Sequence, residues 1–357
     1  MKISIDALPL EKRKPKPKDE NDLGFGNIFT DHMFMLDYKQ GQGWHNARIA
    51  PYQAIALDPA AMSLHYGQMI FEGLKCYRRS DGGLQLFRAR DNFKRFNRSA
   101  ARLCIPELDI DLAVNSLKEL LKLENEWVPR APGTTLYIRP TIIATEPHLG
   151  VRPAQEYLYF VILGPVGAYY KEGFNPVKIM VEDEFVRAAP GGVGEAKTAG
   201  NYASSLFAAE KAHRKGFTQV LWLDGVHRKY VEEVGTMNIF FLLDDELVTA
   251  PLDGTILPGI TRYTVLDLVR EWGGYNVSER LISIDEVMEA ARSGRLKEAF
   301  GSGTAAVISP VGQIVYKDNA LTVGNGRTGA LANRLFEEIT AIQYGAKPDT
   351  HGWIEEI

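Results

Sequence analysis

The stretch that most constrains this chain is Pro190-Gly191-Gly192-Val193-Gly194-Glu195-Ala196-Lys197-Thr198-Ala199-Gly200-Asn201-Tyr202, where one lysine stands among four glycines. Glycine admits conformations and close approaches that other residues cannot, so backbone here is being brought against something. Residues 202–215 have good helix-forming composition and read as a helix leaving the loop. A lysine held in a crowded, poorly solvated place loses its charge more easily and becomes a nucleophilic amine, whose partner is a carbonyl. Gly191 to Thr198 also nearly fits the phosphate loop G-x-x-x-x-G-K-[ST], with Ala196 where the second glycine belongs. Against a nucleoside triphosphatase, the apolar run 177–181 ends well before the glycines, whereas such a loop leaves its strand directly. Beyond the helix, Leu223-Asp224-Gly225 and Leu243-Asp244-Asp245-Glu246 read as turns of antiparallel hairpins rather than βαβ units. The plainest alternative is a glycine-rich surface loop with a solvated lysine.

The rest of the chain bounds the answer. Its 357 residues suffice for two domains with real cores. A formal net charge of −4 gives no reason to expect nucleic acid or an anionic membrane as partner. Cys76 and Cys104 have no C-x-x-C spacing, which argues against a disulfide framework or a metal site and fits a reducing cytoplasm. No apolar run approaches the roughly 18 residues of a membrane span, and no signal-peptide core opens the chain.

Residues 1–24 are charged and proline-bearing, which predicts a flexible arm. Paired strands are expected between 29 and 57, with His32 a structural hydrogen-bonder. Residues 64–75 are dense in aromatics and glycine, including Tyr66 and Phe71, and Ser80-Asp81-Gly82-Gly83 turns a hairpin. Asp91 reads as the cap of a helix whose Phe93, Phe96, Ala100 and Leu103 recur at helical spacing; Arg95 rides on it. A second helix is expected over 111–127. In the β-rich run 134–145, Tyr137 and Arg139 share a face, and an arginine among aliphatics must find an anion or carbonyls. Residues 165–173 read as a domain boundary. Glu232 and Glu233 precede an apolar strand and point to opposite faces, so one is aimed inward and needs a cationic or protonated partner. Leu257-Pro258-Gly259-Ile260-Thr261-Arg262 precedes a helix whose free N–H groups suit an anion. Gly301-Ser302-Gly303-Thr304-Ala305 offers further backbone donors.

A lysine nucleophile, an inward carboxylate and phosphate-ready elements match the needs of pyridoxal phosphate chemistry. The chain resembles fold-type IV pyridoxal phosphate enzymes, and specifically the branched-chain amino acid aminotransferases, from Phe25 to the C-terminal helix. The resemblance is carried by Gly191-Gly192-x-Gly194-x-x-Lys197-x-x-x-Asn201-Tyr202, Glu233-Val234-Gly235-Thr236-Met237-Asn238, Leu257-Pro258-Gly259 and Gly301-Ser302-Gly303-Thr304-Ala305, in the family's order.

That resemblance implies a mixed α+β chain: a flexible arm (1–24), a small N-terminal α/β domain (25–168), a linker (169–176) and a large domain with a pseudo-barrel (177–357). The cofactor, pyridoxal 5′-phosphate, would lie at the domain interface. It implies that Lys197 joins the cofactor covalently, Glu233 pairs with its ring nitrogen, Tyr202 meets its phenolate oxygen, and Arg95, Ile260, Thr261 and Thr304 hold its phosphate, with Thr236 nearby. It places Phe25, Tyr66, Phe71, Tyr137, Tyr169, Thr236, Met237 and Ala305 around an aliphatic substrate, with Arg139 receiving the side-chain carboxylate of glutamate. Thr304, Ala305 and Tyr66 would take the α-carboxylate, and Leu149 and Val151 would reach the neighbouring subunit of a homodimer. The implied reaction moves the amino group of leucine, isoleucine or valine to 2-oxoglutarate. D-amino acid aminotransferases and aminodeoxychorismate lyases share the fold type and stand as alternatives, against which Arg139 and the Tyr66/Phe71 wall argue. Mammalian members carry a redox C-x-x-C where this chain has Ala306 and Ser309, so thiol regulation of that kind is not expected.

Overall fold

The computed structural model describes residues 1–167 and 174–357. Those residues divide into two units: the first takes 1–167, 196–199 and 341–357, the second 174–195 and 200–340.

The first unit is built on a sheet in the order Ser4–Ile5, Gly43–Pro51, His32–Lys39, Glu156–Val166, Thr135–Ala144, Leu74–Arg78, Leu84–Phe87 and Ile354–Glu356, with Met69–Phe71 also paired to Thr135–Ala144. Only the Ser4–Ile5 pairing is parallel. Period-two alternation decides what each strand buries. Along Thr135–Ala144, Leu136 and Ile138 enter a core with Phe93, Phe96, Leu117 and Leu120 of the helices Ala89–Arg102 and Ile110–Leu123, leaving Tyr137 and Arg139 on the opposite face.

The first of these helices begins before Asp91. Its N-cap is Arg88, at φ 52°, and Asp91 sits in the first turn holding Arg88 Nε at 2.8 Å. The carboxylate serves the positive end of the helix from within the turn. Residues 1–24 carry tethers that composition does not encode: Leu8 N–H donates to His32 Nε2 (2.8 Å), Lys14 N–H to Asp31 Oδ1 (2.8 Å), and Lys16 Nζ stands 3.8 Å from the Trp127 ring. His32, fully buried, meets Glu124 with its other nitrogen.

In the second unit, Val231–Val234, Gln219–Leu223, Val177–Glu182, Val307–Tyr316, Leu296–Gly303 and Met237–Leu243 pair in turn, and the last pairs back onto the first. This closes a six-stranded barrel, the pseudo-barrel that the resemblance implied. Its filling is the apolar cluster of Ile179, Leu221, Val234, Ile239, Phe241 and Ile314. Val177–Glu182 and Gln219–Leu223 run parallel, on either side in sequence of the lysine loop and the helix Ala199–Arg214. That crossover departs from the sequence reading; the hairpins expected beyond the helix follow it. The helix Ala330–Gln343 has its first turn in this unit, on Glu298, a buried carboxylate whose two oxygens each accept a backbone N–H, from Leu331 and Ala332, at 2.9 Å.

Candidate functional site

In the first unit the main chain at Lys197 is pinned on both sides. Its N–H donates to Ser99 Oγ (2.9 Å) on the helix Ala89–Arg102, its carbonyl accepts from Phe71 N–H (3.0 Å), and Thr198 Oγ1 donates to Met69 O (2.7 Å). The half-buried amine is thereby placed 5.1 Å from the Phe71 ring centroid. The Arg139 guanidinium lies 4.7 Å from the same ring, and its Nη2 donates to Tyr137 Oη over 2.9 Å. Phe25 meets Tyr137 edge-on at 5.0 Å. Arg139 Nε is buried and has no hydrogen-bond partner among the described residues. A permanently charged donor in that state needs an anion.

One turn before Ser99, Arg95 is buried and bound through two nitrogens to Glu72, Nε to Oε1 at 2.7 Å and Nη2 to Oε2 at 2.8 Å. Glu72 also accepts the Gly73 N–H at 3.0 Å. Sequence reasoning passed over Glu72 and Ser99. The signal was available for the first: a carboxylate inside the apolar run Phe71-Glu72-Gly73-Leu74 demands a cation. Tyr66 hydrogen-bonds Leu149 O, and Leu149 and Val151 project outward, 65% and 85% exposed.

In the second unit Glu233 is buried and held from three directions. Arg187 Nε lies 2.5 Å from Oε2 as a charge contact rather than an aligned hydrogen bond; Asn238 Nδ2 and Leu257 N–H donate to Oε1 at 3.0 and 3.2 Å. Its neighbour Glu232 is buried too, so the expectation that only one acid turns inward fails: this strand is covered on both faces. Burial pushes the Glu232 carboxyl up, opposed by the Thr255 hydroxyl, which donates to it at 2.7 Å. Arg187, also missed by sequence reasoning, ties the carboxylate to the glycine loop by donating to Gly194 O and Thr255 O at 2.9 and 2.7 Å. The close approach expected of the glycines is therefore partly to protein: a Cβ on Gly194 would lie 2.4 Å from Thr255 O.

The hairpin turn after Glu233 holds Thr236, exposed, and leads to Met237, buried against Gly301 and Gly303. Thr304 and Ala305 form the turn that follows Leu296–Gly303, the strand paired with Met237–Leu243. Ile260 and Thr261 open the helix Ile260–Trp272, whose N-cap Gly259 provides no side-chain cap. Tyr202 is half-buried in the first turn of Ala199–Arg214. Tyr169 lies outside the described residues.

These donors fit pyridoxal phosphate chemically. Glu233 is surrounded by donors that favour its charged form, as a partner for a protonated ring nitrogen must be. The start of Ile260–Trp272 is a phosphate-type terminus, and there is no room for a side chain beside it: a Cβ on Gly259 would lie 2.0 Å from Asn238 Oδ1, the amide that also holds Glu233. Among the described residues no cluster could hold a metal ion, and no helix is long and apolar enough to cross a membrane.

Residues 69–314 match the model of the amino-transferase class IV family. The chain is 56% identical to branched-chain-amino-acid aminotransferase 2 of Bacillus subtilis over 345 residues, 97% of this chain and 94% of that one. Its fold matches the branched-chain amino acid aminotransferase of Escherichia coli with TM-score 0.75 and 29% identity, covering 91% and 98% of the two chains. It also matches the branched-chain aminotransferase of the archaeon Thermoproteus uzoniensis, solved with norvaline, with TM-score 0.74 and 26% identity over 90% and 99%. A further branched-chain amino acid aminotransferase, solved with pyridoxamine 5′-phosphate, matches with TM-score 0.73 and 27% identity over 90% and 97%.

Proposed function

Since the chain belongs to the amino-transferase class IV family, we propose that it is a pyridoxal phosphate-dependent branched-chain amino acid aminotransferase, transferring the amino group of leucine, isoleucine or valine to 2-oxoglutarate. The observation that carries the substrate assignment is the unpaired Nε of Arg139 beside the Phe71 ring, which the Lys197 amine also faces. Such a pocket must accept an aliphatic side chain and a carboxylate in turn. An aromatic wall with one anion acceptor does both.

When bound, the cofactor supplies an aldehyde carbon to carry the amino group and a ring that takes up the electron pair left at the substrate's Cα. Lys197 would hold that aldehyde carbon through its amine, and the same amine, when free, would serve as the base and then the acid that moves the substrate's Cα proton. Glu233 would pair with the protonated ring nitrogen, and Arg187 and Asn238, which contact its carboxylate, would orient it for that role. Tyr202 would donate to the ring's phenolate oxygen. Arg95, Thr304 and the N–H groups of Ile260 and Thr261 would be the residues to hold the phosphate, with Glu72 fixing the Arg95 guanidinium plane. Phe25, Tyr66, Phe71 and Tyr137 of the first unit and Thr236, Met237 and Ala305 of the second are the residues that would meet the substrate side chain, and Thr304, Ala305 and Tyr66 those that would take the α-carboxylate. The working form is a cytoplasmic homodimer in which Leu149 and Val151 reach the second copy.

The test is a substrate panel of L-leucine, D-alanine and aminodeoxychorismate on purified protein loaded with pyridoxal phosphate. Turnover of L-leucine with 2-oxoglutarate, and none of the other two, is expected. Lys197→Ala should lower that turnover by at least about 10³-fold and abolish borohydride trapping of the cofactor on this peptide. Trapping at another lysine would remove the assignment.

A further inference from the structure

Gly73 stands between Met69–Phe71 and Leu74–Arg78, beside Thr135–Ala144, and a Cβ built on it would lie 2.1 Å from Tyr137 Oη and 2.9 Å from Tyr137 Cζ. Its backbone has no positive φ, so conformation does not call for glycine here. Space does. The phenol of Tyr137 crosses the Gly73 Cα where a side chain would stand, and from there its hydroxyl accepts the Arg139 Nη2 hydrogen bond at 2.9 Å. The Gly73 N–H in turn is held by Glu72, whose carboxylate is locked to Arg95, so Gly73 cannot easily step aside.

We infer that Gly73 is a specificity-determining residue: its missing side chain lets Tyr137 lie where it orients Arg139 for the carboxylate of a dicarboxylic substrate. Gly73 has no side chain to offer that carboxylate; the glycine acts through Tyr137. The inference rests on Arg139 being the carboxylate acceptor. A methyl group at this position drives the phenol off by more than an ångström, and Arg139 loses the acceptor that fixes its fork. Recognition of five-carbon dicarboxylates then suffers more than recognition of branched aliphatic acids, which need the aromatic wall but no oriented cation.

Equilibrium binding of two non-reacting acids, glutarate and 4-methylpentanoate, to the pyridoxal phosphate-loaded protein tests this by calorimetry. Gly73→Ala should weaken glutarate about tenfold more than 4-methylpentanoate, the scale of one hydrogen bond to a charged group. In a Tyr137→Phe background the ring still meets the added methyl at Cζ, but no hydroxyl remains to hold Arg139, so the same substitution should change the ratio of the two affinities less than about twofold. Equal weakening of both acids by Gly73→Ala, or an undiminished effect in the Tyr137→Phe background, overturns the role of Gly73. Arg139→Gln separates this from the reading beneath it. If that change weakens glutarate while Gly73→Ala leaves the ratio alone, only the inference falls; if Arg139→Gln leaves glutarate binding intact, the carboxylate assignment itself falls.

Discussion

Arg95 and Glu72 illustrate how single residues here are held by charge rather than by shape. Both are buried, and each satisfies the other through two hydrogen bonds. Such a pair adds little against an apolar isostere, yet removing one member leaves a charge in a low-dielectric interior. Glu72→Gln should therefore cost about 3 kcal/mol in urea unfolding of the cofactor-free protein. It should also weaken pyridoxal phosphate binding, because the guanidinium loses the partner that sets its plane. Unfolding curves with and without added cofactor check both effects. Unchanged affinity would mean Arg95 is oriented by something other than Glu72. Glu233 follows the same logic in the second unit, where an interior carboxylate meets the Arg187 guanidinium and the Asn238 amide.

At the scale of elements, the connection between Gln219–Leu223 and Val231–Val234 decides where the Glu233 strand begins. Asp224 organises it: the side chain accepts backbone N–H groups from Val226, His227, Lys229 and Tyr230 at 2.6 to 3.1 Å. Partial burial raises its pKa, but these four donors outweigh burial and bring the carboxyl down to about 2 from 3.8. A depressed folded-state pKa means that the stabilisation is fully present above the unfolded value and is lost as pH falls through the folded one. Asp224→Asn should thus lower stability by about 1 kcal/mol at neutral pH, a figure reduced for solvent screening. The gap between variant and parent should narrow as pH drops from 4 towards 2. Urea midpoints at pH 7, 4 and 3 measure it; a constant gap would show that the carboxylate's charge is not what organises the turn.

For the whole molecule, the outward-facing apolar residues matter most. Leu149 and Val151 stand exposed in one short segment held to Tyr66, the segment assigned to the interface of the proposed homodimer. With the homodimer as the proposed working form, Val151→Asp should raise the dimer dissociation constant at least about tenfold, from burying an unpaired charge, and lower turnover at dilute enzyme. Sedimentation velocity across a concentration series reads the first effect, and specific activity at the same concentrations the second. A variant that stays dimeric at every concentration would take Val151 out of the interface.

Lys197, Glu233, Gly259 and the Thr304–Ala305 turn could be singled out in the sequence because each belongs to a short motif whose chemistry is local. Alternation placed Tyr137 and Arg139 on one face before any fold was known. Charged composition spoke for a loose N-terminal arm, but its tethers to His32 and Asp31 join residues distant in the chain. The same limit hid the partners that hold these side chains and their backbone: Glu72 lies 23 residues from Arg95, and Ser99 lies 98 from Lys197. The parallel crossover between Val177–Glu182 and Gln219–Leu223 was hidden for a related reason, since pairing of strands far apart leaves no local pattern. What the sequence determined by itself was residue chemistry and short-range periodicity. Which buried charge meets which, and why position 73 has to be glycine, were decided by tertiary packing, because both depend on atoms that only folding brings within a few ångströms.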